Sequence, residues 1–186
     1  MSVTIDVTDT APDVSADLER RVGQFLIREA RYLDDWRFEE WLALYTRDCV
    51  YWAPVDPAQR SPREGVSHIH DDIQIMSARI HRLMNPRQFS AEPSPRTCRI
   101  VGNVVIEDVD DATGRLTVGS SLILLEYRAR DHFENDQRCF GGRVTHSLVP
   151  EGDSFRIAAK RIDLMNAGRA YNAVAGPVGS RAMVAY

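Results

Sequence analysis

The stretch that decides the fold is residues 138–164, RCFGGRVTHSLVPEGDSFRIAAKRIDL. It contains two segments rich in β-branched and other apolar residues, Arg138 to Val149 and Phe155 to Leu164. Pro150 to Asp153 separates them, and proline, glycine and aspartate are residues that tight turns favour. Because long neighbouring strands joined by a short turn pair in antiparallel fashion, this stretch predicts two antiparallel strands.

Two further segments of the same kind precede it. They are Thr97 to Glu107 and Leu116 to Tyr127, and turn-type sequences at Asp110 to Gly114 and Asp131 to Asp136 separate the segments. The second half of the chain therefore predicts a four-stranded antiparallel meander. Glycines inside the strands would permit bulges and strong curvature. These glycines are Gly102, Gly119, Gly141 and Gly142.

The first half of the chain has helical periodicity instead. An apolar stripe predicts a first helix that begins after Ser15, a residue type suited to an N-cap. Asp34 and Asp35 interrupt this stripe and are expected to cap a second helix. The stripe of the first helix consists of Leu18, Val22, Phe25, Leu26, Tyr32 and Leu33, and that of the second of Phe38, Trp41, Leu42 and Tyr45.

A strand, a loop and a third helix are expected to follow. Asp48 to Ala53 is short, β-branched and aromatic, which predicts a strand that ends at Pro54. Asp56 to Gly65 has the prolines and glycine of a loop. The third helix is predicted from near Ser67 and ends at Pro86. Its apolar seam consists of Ile69, Ile73, Met76, Ile80 and Leu83.

Helices first and strands afterwards are typical of an α+β fold, in which helices cover one face of a curved antiparallel sheet. A sheet curled around helices forms a cone with a pocket at its mouth. The length of 186 residues suits one domain. We predict a flexible arm over residues 1–14 and a single cone domain over residues 15–186.

Composition and charge exclude several classes of protein. The net charge of −4 lacks the electrostatic signature of a general nucleic-acid binder. No apolar run reaches the roughly 18 residues of a membrane span, and the first residues do not resemble a secretion signal. Cys49, Cys98 and Cys139 form no Cys-x-x-Cys pair and are expected to be reduced thiols in a cytoplasmic protein.

The densest polar cluster lies between His68 and Asp72. On a helix, His68 and His70 would point roughly 160° apart and could not share a metal ion, whereas an extended segment would leave that possibility open. The preferred interpretation places Asp71 and Asp72 in the first turn of a helix, with His68 paired to Asp72. No cysteine begins a Cys-x-His or Cys-x-x-His element, so the sequence contains no Rieske cluster.

Acid–base catalysis is the alternative function. His81 or His146, with Asp48 and a tyrosine such as Tyr51, could line the mouth of the cone and serve a dehydration or an isomerisation. Each of these residues also has an ordinary structural role, and sequence spacing alone does not bring them together. A cone that binds ligands or acts as a scaffold without chemistry is a third class.

Residues 28–54, REARYLDDWRFEEWLALYTRDCVYWAP, resemble the opening of the β (small) subunits of aromatic-ring-hydroxylating dioxygenases. In that family, Glu-Ala-x-x-Leu-Asp leads into Phe/Tyr-x-x-Trp-Leu, and an aspartate, a tyrosine and a proline follow. The matching residues here are Glu29, Ala30, Leu33, Asp34, Phe38, Trp41, Leu42, Asp48, Tyr51 and Pro54. Later matches are Asp71-Asp72 with Arg79 to Arg82, Glu92 to Thr97 with Val101 to Val104, and Lys160 to Leu164.

The resemblance implies a cone of the nuclear-transport-factor-like (cystatin-like) class, with no catalytic, cofactor-binding or metal residue of its own. In the family, the α subunit holds the Rieske [2Fe–2S] cluster and the mononuclear Fe(II), and NAD(P)H supplies electrons through a separate reductase, with or without a ferredoxin. The β chain is then expected to support an α3β3 assembly that cis-dihydroxylates an aromatic ring during the catabolism of aromatic hydrocarbons.

Six residues are expected to lie at subunit contacts or to have structural roles. Arg96 is expected to be partly buried and paired with a carboxylate, because an arginine between Pro95 and an apolar strand cannot easily reach bulk water. The other candidates are Tyr51, Trp52, His68, Asp71 and Asp72.

Overall fold

The computed structural model describes residues 12–85, 95–129, 135–165 and 167. Three helices and six strands follow one another along the chain. They are α1 (Ala16–Asp34), α2 (Phe38–Leu42), β1 (Tyr45–Pro54), β2 (Ser67–Asp71), α3 (Ile73–Leu83), β3 (Arg96–Val109), β4 (Leu116–Ala129), β5 (Asn135–Glu151) and β6 (Ser154–Leu164). Most of the predicted arm, residues 1–11, lies outside the described residues.

One curved sheet contains all six strands in the order β2-β1-β6-β5-β4-β3. Strands β3 to β6 pair in antiparallel fashion with their neighbours in sequence, which confirms the predicted meander. Strand β1 runs parallel to β6, and β2 pairs antiparallel with β1 at the edge. The α+β class with N-terminal helices on a curved sheet is therefore confirmed, and the sequence did not predict that the sheet is mixed.

Helix α1 begins where its sequence predicts. The Ser15 hydroxyl accepts a hydrogen bond from the Leu18 backbone N–H at 3.2 Å, which satisfies one of the free N–H groups of the first turn. The predicted cap of the second helix is wrong, because Asp34 is the last residue of α1 and α2 begins after Arg37 without a side-chain cap. Asp34 binds strand β3 instead, as described below.

The segment Ser67–Asp71 is strand β2 and not the start of a helix. Its extended backbone pairs with β1, in the register of Tyr51 with Asp71. Helix α3 begins only after Asp72, whose carboxylate accepts hydrogen bonds from the backbone N–H groups of Gln74 and Ile75, both at 2.9 Å. The predicted His68–Asp72 pair and the first-turn acids are therefore wrong, because Asp72 is the N-cap.

The helices pack against the concave side of the sheet. Val22, Phe25 and Leu33 of α1 are buried there, and Trp41, Tyr45 and Tyr51 form edge-to-face ring contacts with centroids 5.1–6.2 Å apart. Strands β5 and β6 approach so closely at one point that a Cβ on Gly142 would lie 2.5 Å from the Asp163 carbonyl oxygen. Only glycine fits at that position.

Candidate functional site

The centre of the cone holds a buried carboxylate, Glu29, which lies on the apolar stripe of α1 and is 4% exposed. Its Oε1 accepts hydrogen bonds from Lys160 Nζ at 2.7 Å, Tyr45 Oη at 3.0 Å and Trp41 Nε1 at 3.2 Å. Its Oε2 lies 3.2 Å from Nε2 of His146. Because a buried charge is costly unless it is paired and hydrogen-bonded, these contacts are what allow Glu29 to be ionised here.

Strands β5 and β6 supply the two basic partners. His146 and Lys160 are directly opposite each other across these antiparallel strands, and both side chains point into the cone. Lys160 lies on the same inward face of β6 as the buried Ile162 and Leu164, because residues two apart in a strand point to the same side. Lysine occurs only at this position in the whole chain. We call Glu29, His146, Lys160, Tyr45 and Trp41 the buried ion network.

Burial and pairing act in opposite directions on these groups. Burial alone would raise the pKa of Glu29, but the Lys160 ammonium and the hydrogen bond with His146 outweigh it and hold that pKa well below its usual range. Burial lowers the pKa of His146, and the neighbouring Glu29 opposes this only in part. Burial also lowers the pKa of Lys160, and the Glu29 carboxylate, 2.7 Å from its Nζ, opposes that shift. At neutral pH the network therefore contains an ionised Glu29 and a neutral His146.

A second buried ion pair joins α1 to strand β3. The Asp34 carboxylate binds the Arg99 guanidinium, accepts a hydrogen bond from Thr97 Oγ1 at 2.9 Å and another from the Arg99 backbone N–H at 2.8 Å. The Arg99 side chain is 2% exposed, whereas that of Asp34 is 20% exposed. Since β3 is an edge strand, Asp34 satisfies a backbone donor that no neighbouring strand pairs.

The interior beside the buried ion network is almost filled. A cavity of about 10 Å³ remains, lined by residues that include Glu29, His146, Lys160 and Arg99. This volume is about that of a single water, far below the roughly 300–1,000 Å³ of small-molecule sites. Among the described residues, the cavity next to these ionisable groups is therefore too small for an organic substrate.

The residues of the alternative acid–base hypothesis do not form one site. His146 belongs to the buried ion network and Tyr51 is buried in the core, whereas Asp48 and His81 are exposed. His81 lines an open groove of about 740 Å³ between α2, α3 and the beginnings of β1 and β6, and the other three residues do not line it. The alternative hypothesis of a dehydratase or isomerase site built from these residues is therefore wrong.

The proposed interface residues have mostly internal positions. Tyr51 is in the core. The Arg161 guanidinium stacks on Trp52, with its carbon 4.5 Å from the centroid of the Trp52 ring. Asp71 is buried and pairs with Arg79 at 2.6 Å, and His68 is also buried. These four side chains have structural positions within the chain, and burial leaves them little surface for a direct contact with a partner.

Arg96 is exposed, so the prediction that it is partly buried is wrong for the chain by itself. The buried arginine of that strand is Arg99, three residues further on. Side chains alternate between the two faces of a strand, so positions 96 and 99 point in opposite directions. Asp72 is also exposed, and its carboxylate caps α3.

Sequence reasoning missed Glu29, Lys160 and Arg99 as a group. A signal for the first was available, because Glu29 lies three residues after Leu26 and four before Leu33, on the apolar stripe itself. Lys160 sits in an alternating strand at an inward position. A charged residue on a buried face needs a partner of opposite charge. The acid on the buried face of α1 and the lysine on the buried face of β6 could therefore have been predicted to pair with each other.

Stability is expected to fall as the pH is lowered from 7.5 to 5.5. Burial lowers the pKa of His146 in the folded chain. Below about pH 6.5, the His146 side chain is therefore protonated in the unfolded chain but remains neutral in the folded one. Stability is thus lost as the pH falls below that value, by at most about 1.4 kcal/mol per pH unit for this residue. Urea unfolding of the purified chain across this range measures the slope.

The variant His146→Gln is expected to reduce this slope, and His81→Gln, at an exposed position, is the matched control that leaves it unchanged. His68, whose pKa is also lowered by burial, accounts for part of the remaining dependence. A slope that is identical in the wild type and His146→Gln would contradict the prediction. Glu29 stabilises the fold throughout this range and adds to the pH dependence only below about pH 4.5, the ordinary pKa of a glutamate, where the unfolded chain begins to take up a proton and the folded chain does not.

No group of three or more His, Cys, Asp or Glu side chains that could hold a metal ion occurs among the described residues. His68 and Asp71 are buried in different contacts, and His70 is exposed at the sheet edge. Residues 67–71 are therefore extended, the one conformation in which the sequence allowed a metal site, but their side chains do not converge on one point.

None of the described helices is long and apolar enough to cross a membrane.

Comparison with known proteins agrees with this architecture. The family model described as "Ring hydroxylating beta subunit" matches residues 28–168. The anthranilate 1,2-dioxygenase small subunit of Acinetobacter baylyi is 29% identical over 82% of this chain and 93% of its own length. The biphenyl 2,3-dioxygenase subunit beta of Rhodococcus jostii is 32% identical, over 83% of this chain and 85% of its own.

A solved structure shares the fold. The β subunit of benzoate 1,2-dioxygenase from Burkholderia mallei superimposes with a TM-score of 0.65 at 24% sequence identity, and the match covers 96% of this chain and all of that one. At this identity the likeness supports the cone architecture. The matched segment of the family model includes both Glu29 and Lys160.

Proposed function

This chain belongs to the family of ring-hydroxylating β subunits, and on that premise we propose that it is the non-catalytic subunit of a multicomponent dioxygenase that cis-dihydroxylates an aromatic ring. The observation that carries the proposal is the filled interior of the cone, with about 10 Å³ of free space beside Glu29, His146 and Lys160. These ionisable groups are bound to one another, so they support the shape of the subunit.

The metal centres belong to the partner in this proposal. The catalytic α subunit holds a Rieske [2Fe–2S] cluster and a mononuclear Fe(II), and the two kinds of chain assemble as α3β3 in the cytoplasm. NAD(P)H supplies the electrons through a separate reductase, with or without a ferredoxin. The cluster of histidines and carboxylates at residues 68–72 does not fit an iron site, since Asp71 pairs with Arg79 and Asp72 caps α3.

Co-expression tests the proposal directly. The partner is the product of a neighbouring reading frame that contains Cys-x-His and Cys-x-x-His elements. We expect the two chains to co-purify as one hetero-oligomer on a sizing column, and the complex to convert an aromatic hydrocarbon or aromatic acid to a cis-diol when a reductase is supplied. This chain by itself is expected to bind no stoichiometric iron and to give no turnover.

Three results would contradict the proposal. One is a partner that assembles and reaches full activity without this chain. A second is turnover of a hydroxyl or carbonyl substrate by this chain alone, which would favour a free-standing dehydratase or isomerase. Binding of small aromatic molecules by the isolated chain, without assembly, would favour the third class, a ligand-binding cone.

A further inference from the structure

One ring nitrogen of His146 has no partner among the described residues. Its Nε2 lies 3.2 Å from Oε2 of the ionised Glu29, and a carboxylate can only accept hydrogen bonds. The neutral imidazole therefore carries its proton on Nε2, which makes Nδ1 an acceptor. Nδ1 is fully buried, and the described residues supply no donor to it. Because a buried polar atom without a partner is costly, the large majority of such atoms bind the protein or an ordered water.

Lys160 has the complementary deficit. Its ammonium carries three N–H donors, and one of them binds Glu29 Oε1 at 2.7 Å. The face of the Tyr51 ring, whose centroid is 5.7 Å from Nζ, takes up a second donor at most. At least one N–H of this buried cation therefore has no acceptor among the described residues.

One small cavity adjoins both groups. His146 and Lys160 are directly opposite each other on β5 and β6, and both line the cavity of about 10 Å³ in the interior of the cone. Ser120 of β4 and Arg99 of β3 line it as well, and the remaining walls are Glu29 and apolar side chains of α1 and the meander strands. A buried water needs about this volume and roughly two to four polar partners. The cavity therefore has the size and the polar lining of a buried water site.

The charges around the cavity favour a neutral occupant. Lys160 is paired with Glu29 and Arg99 is paired with Asp34, so each cation has its own carboxylate. His146 is neutral at neutral pH, because burial lowers its pKa. A bound ion would be left without a counter-charge, which costs far more than burying a hydrogen-bonded neutral molecule. The volume excludes organic molecules.

We propose that the cavity binds a single water molecule, which donates a hydrogen bond to His146 Nδ1 and accepts one from Lys160 Nζ. The Ser120 hydroxyl is its third partner. This water belongs to the buried ion network and satisfies the atoms that the side chains of the network leave unpaired. Since Arg99 lines the same cavity, the site lies between the buried ion network and the Asp34–Arg99 pair. The proposal concerns the interior of the cone and is independent of the proposed function.

Relaxation dispersion of the water signal tests for this site. Measured on the oxygen nucleus of water over a range of magnetic fields, it reports waters that stay inside the protein longer than the protein takes to rotate. Ser120→Val is the test variant, because a branched side chain fills the cavity and removes the hydroxyl. Ser121→Val is the matched control, since Ser121 points to the opposite face of β4 and accepts a hydrogen bond from Asn103 there. We expect the contribution of one long-lived water to be lost in Ser120→Val and kept in the wild type and Ser121→Val.

A second measurement leaves the cavity unaltered. Nitrogen NMR of the wild type above neutral pH shows which imidazole nitrogen carries the proton and whether the other nitrogen accepts a hydrogen bond. The signals of His146 are identified by their loss in His146→Gln. We expect Nε2 to carry the proton and Nδ1 to have the chemical shift of a hydrogen-bonded acceptor.

Loss of one long-lived water in Ser120→Val alone, together with a hydrogen-bonded Nδ1 in the wild type, would support the proposal. Equal contributions from long-lived waters in the wild type, Ser120→Val and Ser121→Val would overturn it. A proton on Nδ1, or an Nδ1 signal without a hydrogen bond, would overturn it as well. If circular dichroism shows that Ser120→Val does not fold, the nitrogen signals of the wild type decide alone.

Discussion

Replacing Glu29 with leucine is expected to lower the free energy of unfolding by about 3–5 kcal/mol, the usual cost of removing one partner of a buried ion pair. The change leaves the Lys160 ammonium buried, 5% exposed, without its counter-charge. It also removes the acceptor for Tyr45 Oη and Trp41 Nε1. Urea unfolding of the purified chain, followed by tryptophan fluorescence and by circular dichroism, measures the loss.

Two further variants make this prediction specific to the pair. Glu19→Leu, on the exposed side of the same helix, is expected to change stability by no more than about 0.5 kcal/mol. Lys160→Met added to Glu29→Leu is expected to recover a large part of the loss, because it removes the uncompensated charge and keeps the volume. If Glu29→Leu lowers the free energy of unfolding by less than about 1 kcal/mol, the prediction is wrong, because the buried Lys160 ammonium would then not need Glu29 as its counter-charge.

The buried ion network joins parts of the chain that are far apart in sequence. Glu29 is on α1, Trp41 on α2, Tyr45 at the start of β1, His146 on β5 and Lys160 on β6. A buried ion pair is weak support for high stability, since well-packed apolar residues often do as well. Its directional bonds can be satisfied in only one placement of α1 on the sheet. We infer that the network fixes that placement, as a subunit with a defined outer surface requires.

The sequence predicted the fold class because its signals are local. The four β segments alternate with turn residues, and the stripe of α1 with its Ser15 cap is complete within nineteen residues. Strand β2 was missed because its identity depends on pairing with β1, which is a non-local contact. The segment 67–71 contains polar residues next to a helical seam, so local periodicity favoured a helix.

The interior site was predicted less well, for a related reason. Whether a histidine or an acid is free or paired depends on which side chains the fold brings together, and His146 and Glu29 are 117 residues apart. The family resemblance included Glu29, Asp34 and Lys160 in its motifs but assigned them no contacts. The structure shows that these motif residues are the buried ions, each bound to a side chain from another element.

Asp34→Ala is expected to lower the free energy of unfolding by about 2–4 kcal/mol, below the full value for a wholly buried pair because Asp34 is 20% exposed. The change removes the carboxylate that binds the buried Arg99 guanidinium, the Thr97 hydroxyl and the Arg99 backbone N–H. The neighbouring Asp35→Ala is the matched control. Asp35 is exposed and caps α1 through its backbone N–H, so its loss is expected to cost less than about 0.5 kcal/mol.

The same variant links the interior of the cone to its outer surface. Arg99 and Ile100 are adjacent in β3 and point to opposite faces, so loss of the Asp34 contact releases the edge strand that carries the exposed Ile100 on the outer side of the sheet. Amide hydrogen exchange in β3 is expected to accelerate in Asp34→Ala, while exchange in β5 and β6 stays closer to the wild type. Uniform acceleration across all four meander strands would mean that Asp34 stabilises the whole cone rather than this edge.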